Sequence, residues 1–355
     1  MLDKRKTEAM HGIAILMMIY HHLFMTGNFW SPDNNVSLLS VFDKLDFTGS
    51  GSAQLGFAWF CKICVAIFAF TSGYAMYIQL DKKNGFLDRV KYIPKRIWSF
   101  YKKYVLAFIY FVSLTYLMMR ETFKFNIGNI VLSFLGLKAG FNDTWWYVPV
   151  YYLMVVLSPF VYEILKRVNL KGYLLVGGIF GLSLIIAFVT GNGVVYLKAI
   201  SRFVQNNTTI YVLIFVEGMF IARYGLLDKI GSRLNLLSSI VLLIVVFVCR
   251  SVLIRDPGDP LFDLLFITPF VISVTRILSY SNCLTGFFGY FGKYSTYMWY
   301  SHAYFYAYMF YWIIIPSDLS FVVYLQVVGY SLAYSIGFSA VEDKLFNRKR
   351  PEKLA

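Results

Sequence analysis

Apolar residues fall along this chain in long unbroken blocks, not in the alternating or three-and-four spacing of half-buried elements. Stretches of about 17 to 25 residues, enough to cross ~30 Å of hydrocarbon at 1.5 Å per residue, recur with no polar domain between them. They predict about ten transmembrane helices, near 10–28, 56–79, 104–119, 145–165, 172–191, 209–226, 234–254, 261–279, 289–312 and 320–341. The segment 127–140 is too short to cross and is interrupted by Gly128, Gly136 and Gly140, so it reads as a re-entrant or interfacial hairpin. A distorted span is the alternative. Residues 1–355 thus form one all-α, polytopic membrane domain.

Composition agrees. Hydrophobic residues make up 58% of the 355 residues and charged ones only 15%, whereas soluble domains carry about a quarter charged. Most of the 33 lysines and arginines fall on one side of the predicted topology: Lys4, Arg5 and Lys6, the stretch 82–103, Lys166 to Lys171, Arg223 to Arg233, and the end of the chain. Cytoplasmic loops retain basic residues, and an even number of spans puts both termini on one side, so both termini are expected in the cytoplasm of a bacterial-type plasma (inner) membrane. The first span is longer than a signal-peptide core and lacks a small-residue cleavage site, so it is expected to be retained. The net charge of +14 is then mostly topology, and nucleic-acid binding explains it poorly. Cys61 and Cys64 form a CxxC without a second pair at zinc-site spacing, which favours packing as small apolar residues; no metal is expected.

Inside these blocks stand a few polar groups. At ~100° per residue His11 and His22 share one face of the first helix, about 16 Å apart along it, while His21 points about 100° away. That stripe suits a helix lining a polar tunnel, since ionisable residues in the membrane are costly and usually functional. The other reading places the pair His21 and His22 in the outer interface, bonded to neighbours or headgroups. His302, with Ser295 seven residues before it, lines the tunnel, orients His22 or binds acceptor, or is a core histidine satisfied by a neighbour. Glu217 should face the bundle interior, bound to a basic group or steering imidazole protonation. Trp145, Trp146, Tyr147, Tyr151 and Tyr152 form an aromatic cluster that reads as an interface belt or as a sugar-stacking surface.

The stretch HGIAILMMIYHHLF (11–24) resembles the first-helix signature of the membrane-bound acyltransferase 3 family, in which a basic residue is followed after ten positions by the essential histidine. Further similarities follow in the family's order: FAFTSGY (68–74), PKRIWSFYKKY (94–104), TWWYVPVYYLMVVLSP (144–159) and FGKYSTYMWYSHAYF (291–305). The resemblance implies transfer of an acyl group, usually acetyl, from cytoplasmic acetyl-CoA to a hydroxyl of a glycan or lipid-linked sugar, such as capsule, exopolysaccharide, lipopolysaccharide or wall polymer. It implies His22 as general base or acyl relay, with His21, His302, Ser72 and Glu217 in support. Donor phosphates fall to His11, Lys95, Arg96, Lys102 and Lys103, from a basic cytoplasmic loop over 81–103, with Arg96 foremost because a guanidinium grips phosphate with two bonds. Acceptor binding falls to Trp146, Tyr147 and Tyr151. The family usually has Arg or Lys where this chain has His11. The rival reading is a transporter or flippase of lipid-linked glycan, with His and Glu as a proton path, although the two halves show no convincing inverted repeat.

Overall fold

The computed structural model describes residues 2–25, 52–121, 123–167, 169, 207–253, 261–315 and 320–346. Every regular element among them is helical. Helices α1 (Lys4–Met25), α2 (Ser52–Cys61), α3 (Cys64–Asp81), α4 (Phe86–Met119), α5 (Ile127–Phe134) and α6 (Tyr147–Arg167) precede α7 (Asn207–Tyr224), α8 (Leu226–Gly231), α9 (Leu236–Leu253), α10 (Asp263–Ser279), α11 (Asn282–Ala303) and α12 (Ser320–Phe346). The expected span at 172–191 lies outside the described residues.

The outer surface is apolar. Leu153, Val156, Phe160 and Ile164 form an exposed stripe on α6, and Leu237, Val241, Ile244 and Val248 another on α9. Polar side chains such as Thr71, Thr115, Ser158, Ser273, Ser295 and His302 are buried instead. This inverts the soluble arrangement and suits a bundle solvated by lipid, whose backbone bonds are closed within helices. Among the described residues four helices, Gly56–Asp81, Phe86–Met119, Asp143–Arg167 and Phe321–Phe346, are long and apolar enough to cross a membrane, and Leu236–Ser251 is a shorter apolar helix.

One expectation is corrected. The basic stretch read as a loop over 81–103 is mostly helix: α4 starts at Phe86 and runs 34 residues through Pro94 into the apolar segment. At 1.5 Å per residue that is about 51 Å, longer than the hydrocarbon is thick, so the charged first turns stand beyond it. Its start is pinned by Arg89, which is buried, pairs with Glu163 at 2.6 Å and donates to the carbonyls of Leu80 and Lys83. The 127–140 segment is a single short helix, α5, turned back at Gly136, whose φ is +72°.

Helix α1 is central, packed on α2, α3, α11 and α12. Its contact with α11 is backbone to backbone: a Cβ on Gly12 would overlap the carbonyl oxygen of Phe288, and one on Gly292 that of Glu8. Helices α3 and α7 cross in the same manner at Gly73 and Gly218.

Candidate active site

Ten residues beyond the Gly12–Gly292 crossing on each helix stand His22 and His302, with Nδ1 of His22 2.8 Å from Nε2 of His302. The equal spacing means that α1 and α11 run parallel over about 15 Å. Arg5, bonded to Asn282 near the start of both helices, fits the same register. The two imidazole planes lie within 9° of each other. On its other side His302 is anchored to its own helix, with Nδ1 2.8 Å from the carbonyl of Trp299 and 3.2 Å from that of Met298.

His21 has a different occupation. The helix over 56–81 is broken after Cys61, where the Trp59 and Phe60 carbonyls take tight bonds from the N–H groups of Lys62 and Ile63 and keep a second lone pair for a side-chain donor. His21 Nδ1 donates to the Ala58 carbonyl at 2.8 Å, and Arg250 Nη1 donates to those of Trp59 and Phe60 at 2.8 and 3.1 Å. Arg250 is in turn paired through Nε with Asp263 at 2.8 Å, both side chains buried. The histidine doublet therefore divides: His21 caps a broken helix and His22 reaches across to α11.

The break places Lys62 in the wall of a cavity of about 240 Å³, which it shares with His21 and His22. About 16 Å away along α1, the same cavity is lined by His11, Ser72 and Arg96. Between these ends stand Met18, Val65, Phe68 and Phe100, with Trp146, Tyr147, Tyr151, Tyr211 and Trp299 along the wall. His11 packs against Phe68 with the two rings tilted by 43°, and bonds Thr71 Oγ1 at 2.9 Å. The Thr71 hydroxyl donates its one hydrogen to the Ile67 carbonyl at 2.7 Å, so it accepts from His11 Nε2–H, and Nδ1 is the acceptor left on that ring.

Arg96 owes its inward direction to Arg89. Seven residues is two turns less about 20°, so Arg89, Arg96 and Lys103 share one stripe of α4, and the anchored Arg89 turns that stripe inward. Arg96 lies over the Tyr151 ring, 5.9 Å from its centroid.

The cavity thus gathers His11, His21, His22, Ser72, Arg96, Trp146, Tyr147 and Tyr151 from the sequence candidates, with His302 directly behind His22. Others stand apart from its lining. Lys95 is exposed. Lys102 pairs with the buried Glu342 at 2.8 Å, and Lys103 lies 5.7 Å from the centroid of the Tyr297 ring, whose hydroxyl also donates to Glu342. Among the described residues Glu217 neither meets a basic group nor reaches an imidazole: it accepts from the Thr268 hydroxyl at 2.5 Å. The aromatic cluster is no interface belt, because Trp145, Tyr147 and Tyr151 are buried, and Trp145 and Trp299 donate to the carbonyls of Tyr300 and Thr144. Cys61 and Cys64 are buried thiols packed at the helix break.

Residues 7–340, nearly the whole chain, match a family model described as an acyltransferase domain. The chain belongs to the acyltransferase 3 family. With its apolar outer helices, membership makes it an integral membrane acyltransferase. No significant match was found among curated proteins or among solved structures. Sequence reasoning did not single out Lys62 and Tyr211 in this acyltransferase's cavity wall, nor Thr71, which bonds His11. Lys62 alone had a visible signal, a charged residue inside an apolar span.

Proposed function

We propose that this acyltransferase moves an acyl group, acetyl in the simplest case, from cytoplasmic acetyl-CoA to a hydroxyl of a surface or exported glycan, with ten spans and both termini inside. The observation that carries the reading is one cavity lined by an arginine and a histidine at one end and by His22, backed by His302, at the other. A long donor with anionic phosphates and a neutral thioester tail matches that polarity. Arg96 holds a phosphate, the pantetheine arm runs past Met18 and Phe68, and the thioester carbonyl reaches the level of His22. His22 then takes the acceptor's proton as the hydroxyl attacks, or itself carries the acyl group; a positioned base is worth roughly 10²–10⁴-fold. Lys62, on the same wall, faces the oxyanion that develops as the carbonyl becomes tetrahedral. Trp146, Tyr147 and Tyr151 give the acceptor sugar flat apolar faces.

The test is a mass comparison of surface glycans from cells with and without this chain. The expected result is an added acetyl ester on one polymer, released by mild base; unchanged mass in every surface polymer overturns the reading in favour of transport. Arg96→Ala is expected to raise the KM for acetyl-CoA by roughly tenfold to 10²-fold, the worth of a hydrogen bond to a charged group, with kcat little changed, because a phosphate contact is shared by ground and transition states. Initial rates over a range of acetyl-CoA concentrations in membrane vesicles check this. A fall in kcat at unchanged KM would place Arg96 at the reacting end instead.

A further inference from the structure

We propose that His302 is a positioning residue that fixes the tautomer of His22, so that Nε2 of His22 is the nitrogen that accepts the acceptor hydroxyl's proton. The inference rests on the acyl-transfer reading for its chemistry, but its geometry stands without it. The argument starts at the buried end of the chain of bonds. The carbonyls of Trp299 and Met298 can only accept, so Nδ1 of His302 carries a hydrogen. With one proton per ring, Nε2 of His302 is then a lone pair and accepts from its neighbour. The neighbour is Nδ1 of His22 at 2.8 Å, which must therefore be N–H. That leaves Nε2 as the unprotonated nitrogen of His22, on a ring that lines the cavity. Two backbone carbonyls of α11, acting through two imidazoles, thus decide which nitrogen of His22 is basic.

The termination of the chain also matters. A carbonyl cannot take up a proton, so the relay orients and polarises His22 but offers no exit. The proton taken from the acceptor hydroxyl as the new C–O bond forms is returned from Nε2 to the thiolate sulfur as the C–S bond breaks. Acyl-CoA and alcohol then give ester and free thiol with no net proton released, which balances the reaction without a channel to solvent. The backbone contact at Gly12 and Gly292 holds the two helices in the register that this bond needs.

The chain contains four histidines, so ¹⁵N-histidine labelling of the full protein in nanodiscs gives few signals. His22, assigned by the loss of its signals in His22→Gln, is expected to show a pyrrole-type Nδ1 and a pyridine-type Nε2. A protonated Nε2 with a bare Nδ1 overturns the inference, whatever the activity. In His302→Met, which keeps bulk but removes the acceptor, both tautomers of His22 should appear. Its kcat should fall roughly tenfold to 10²-fold with the KM for acetyl-CoA unchanged, milder than the ~10⁴ lost where a serine-protease histidine is locked in the wrong tautomer. His302→Gln, whose side-chain oxygen can take the place of Nε2, should restore the single tautomer and most of kcat. Full kcat in His302→Met also overturns the inference. If the tautomer is as stated but no glycan gains acetyl, the acyl-transfer reading fails and the positioning stands.

Discussion

Replacing His22 by alanine is expected to lower acyl transfer by at least about 10²-fold, with protein level and acetyl-CoA binding preserved, because a methyl group leaves nothing to take the hydroxyl proton. His21→Ala, one position away, should behave differently. Its imidazole is bonded to the Ala58 carbonyl at the end of a broken helix, so its removal takes away a buried hydrogen bond, a cost of about 0.5–1.5 kcal/mol in stability. Transfer should then fall by roughly tenfold or less, while thermal melting in detergent moves down. Measuring both quantities for both variants in the same membranes separates them. Full activity in His22→Ala removes the mechanism. Equal loss from His21→Ala at unchanged melting would show that the doublet acts as one unit.

The sequence made much of this legible because lipid imposes a simple rule on composition. Long apolar blocks had to be helices, and nine of the ten expected spans overlap helices described here. Helical geometry also set His21 and His22 on different sides of α1, where they find different partners, since a rotation of about 100° per residue needs no tertiary knowledge. Charge misled at 81–103. A run of lysines and arginines suggested a loop, yet Leu87, Lys91, Lys95 and Arg96 are good helix formers, and after the turn at Asn84–Gly85 only Pro94 argues locally against a helix. Which of those cations face inward was illegible for a different reason: it depends on Arg89 finding Glu163, 74 positions away. Lys102 was assigned to the donor because its partner, Glu342, lies far along the chain. The His22–His302 bond joins residues 280 apart, and nothing local announces it. One trace did exist in the equal ten-residue steps from Gly12 to His22 and from Gly292 to His302. It gains meaning only once the glycines are known to touch.

That contact sets the largest structural effect expected. Gly292→Ala should lower transfer by roughly 10²-fold or prevent accumulation of the protein, whereas Gly289→Ala, three residues earlier on the same helix, should leave both unchanged. A Cβ at position 292 would overlap the backbone oxygen of Glu8, and a carbonyl held within a helix cannot swing aside as a side chain can. The helices must part or slide by an ångström or more, and strain of this kind costs typically 1–3 kcal/mol. The same displacement acts at His22 and His302, ten residues further on, where a 2.8 Å bond tolerates little extension before it ceases to be one. A Cβ at Gly289 meets no protein atom within 4 Å, so it adds only helix propensity. Gly12→Ala, which overlaps Phe288 from the other side of the crossing, should reproduce the Gly292→Ala result. The two variants together should cost little more than either alone, because once the helices have parted the second methyl has room. Melting temperature and transfer rate measured across this set check the account. Additive losses, or an undisturbed rate in Gly292→Ala, would show that the register of α1 against α11 is not what holds the histidine pair together.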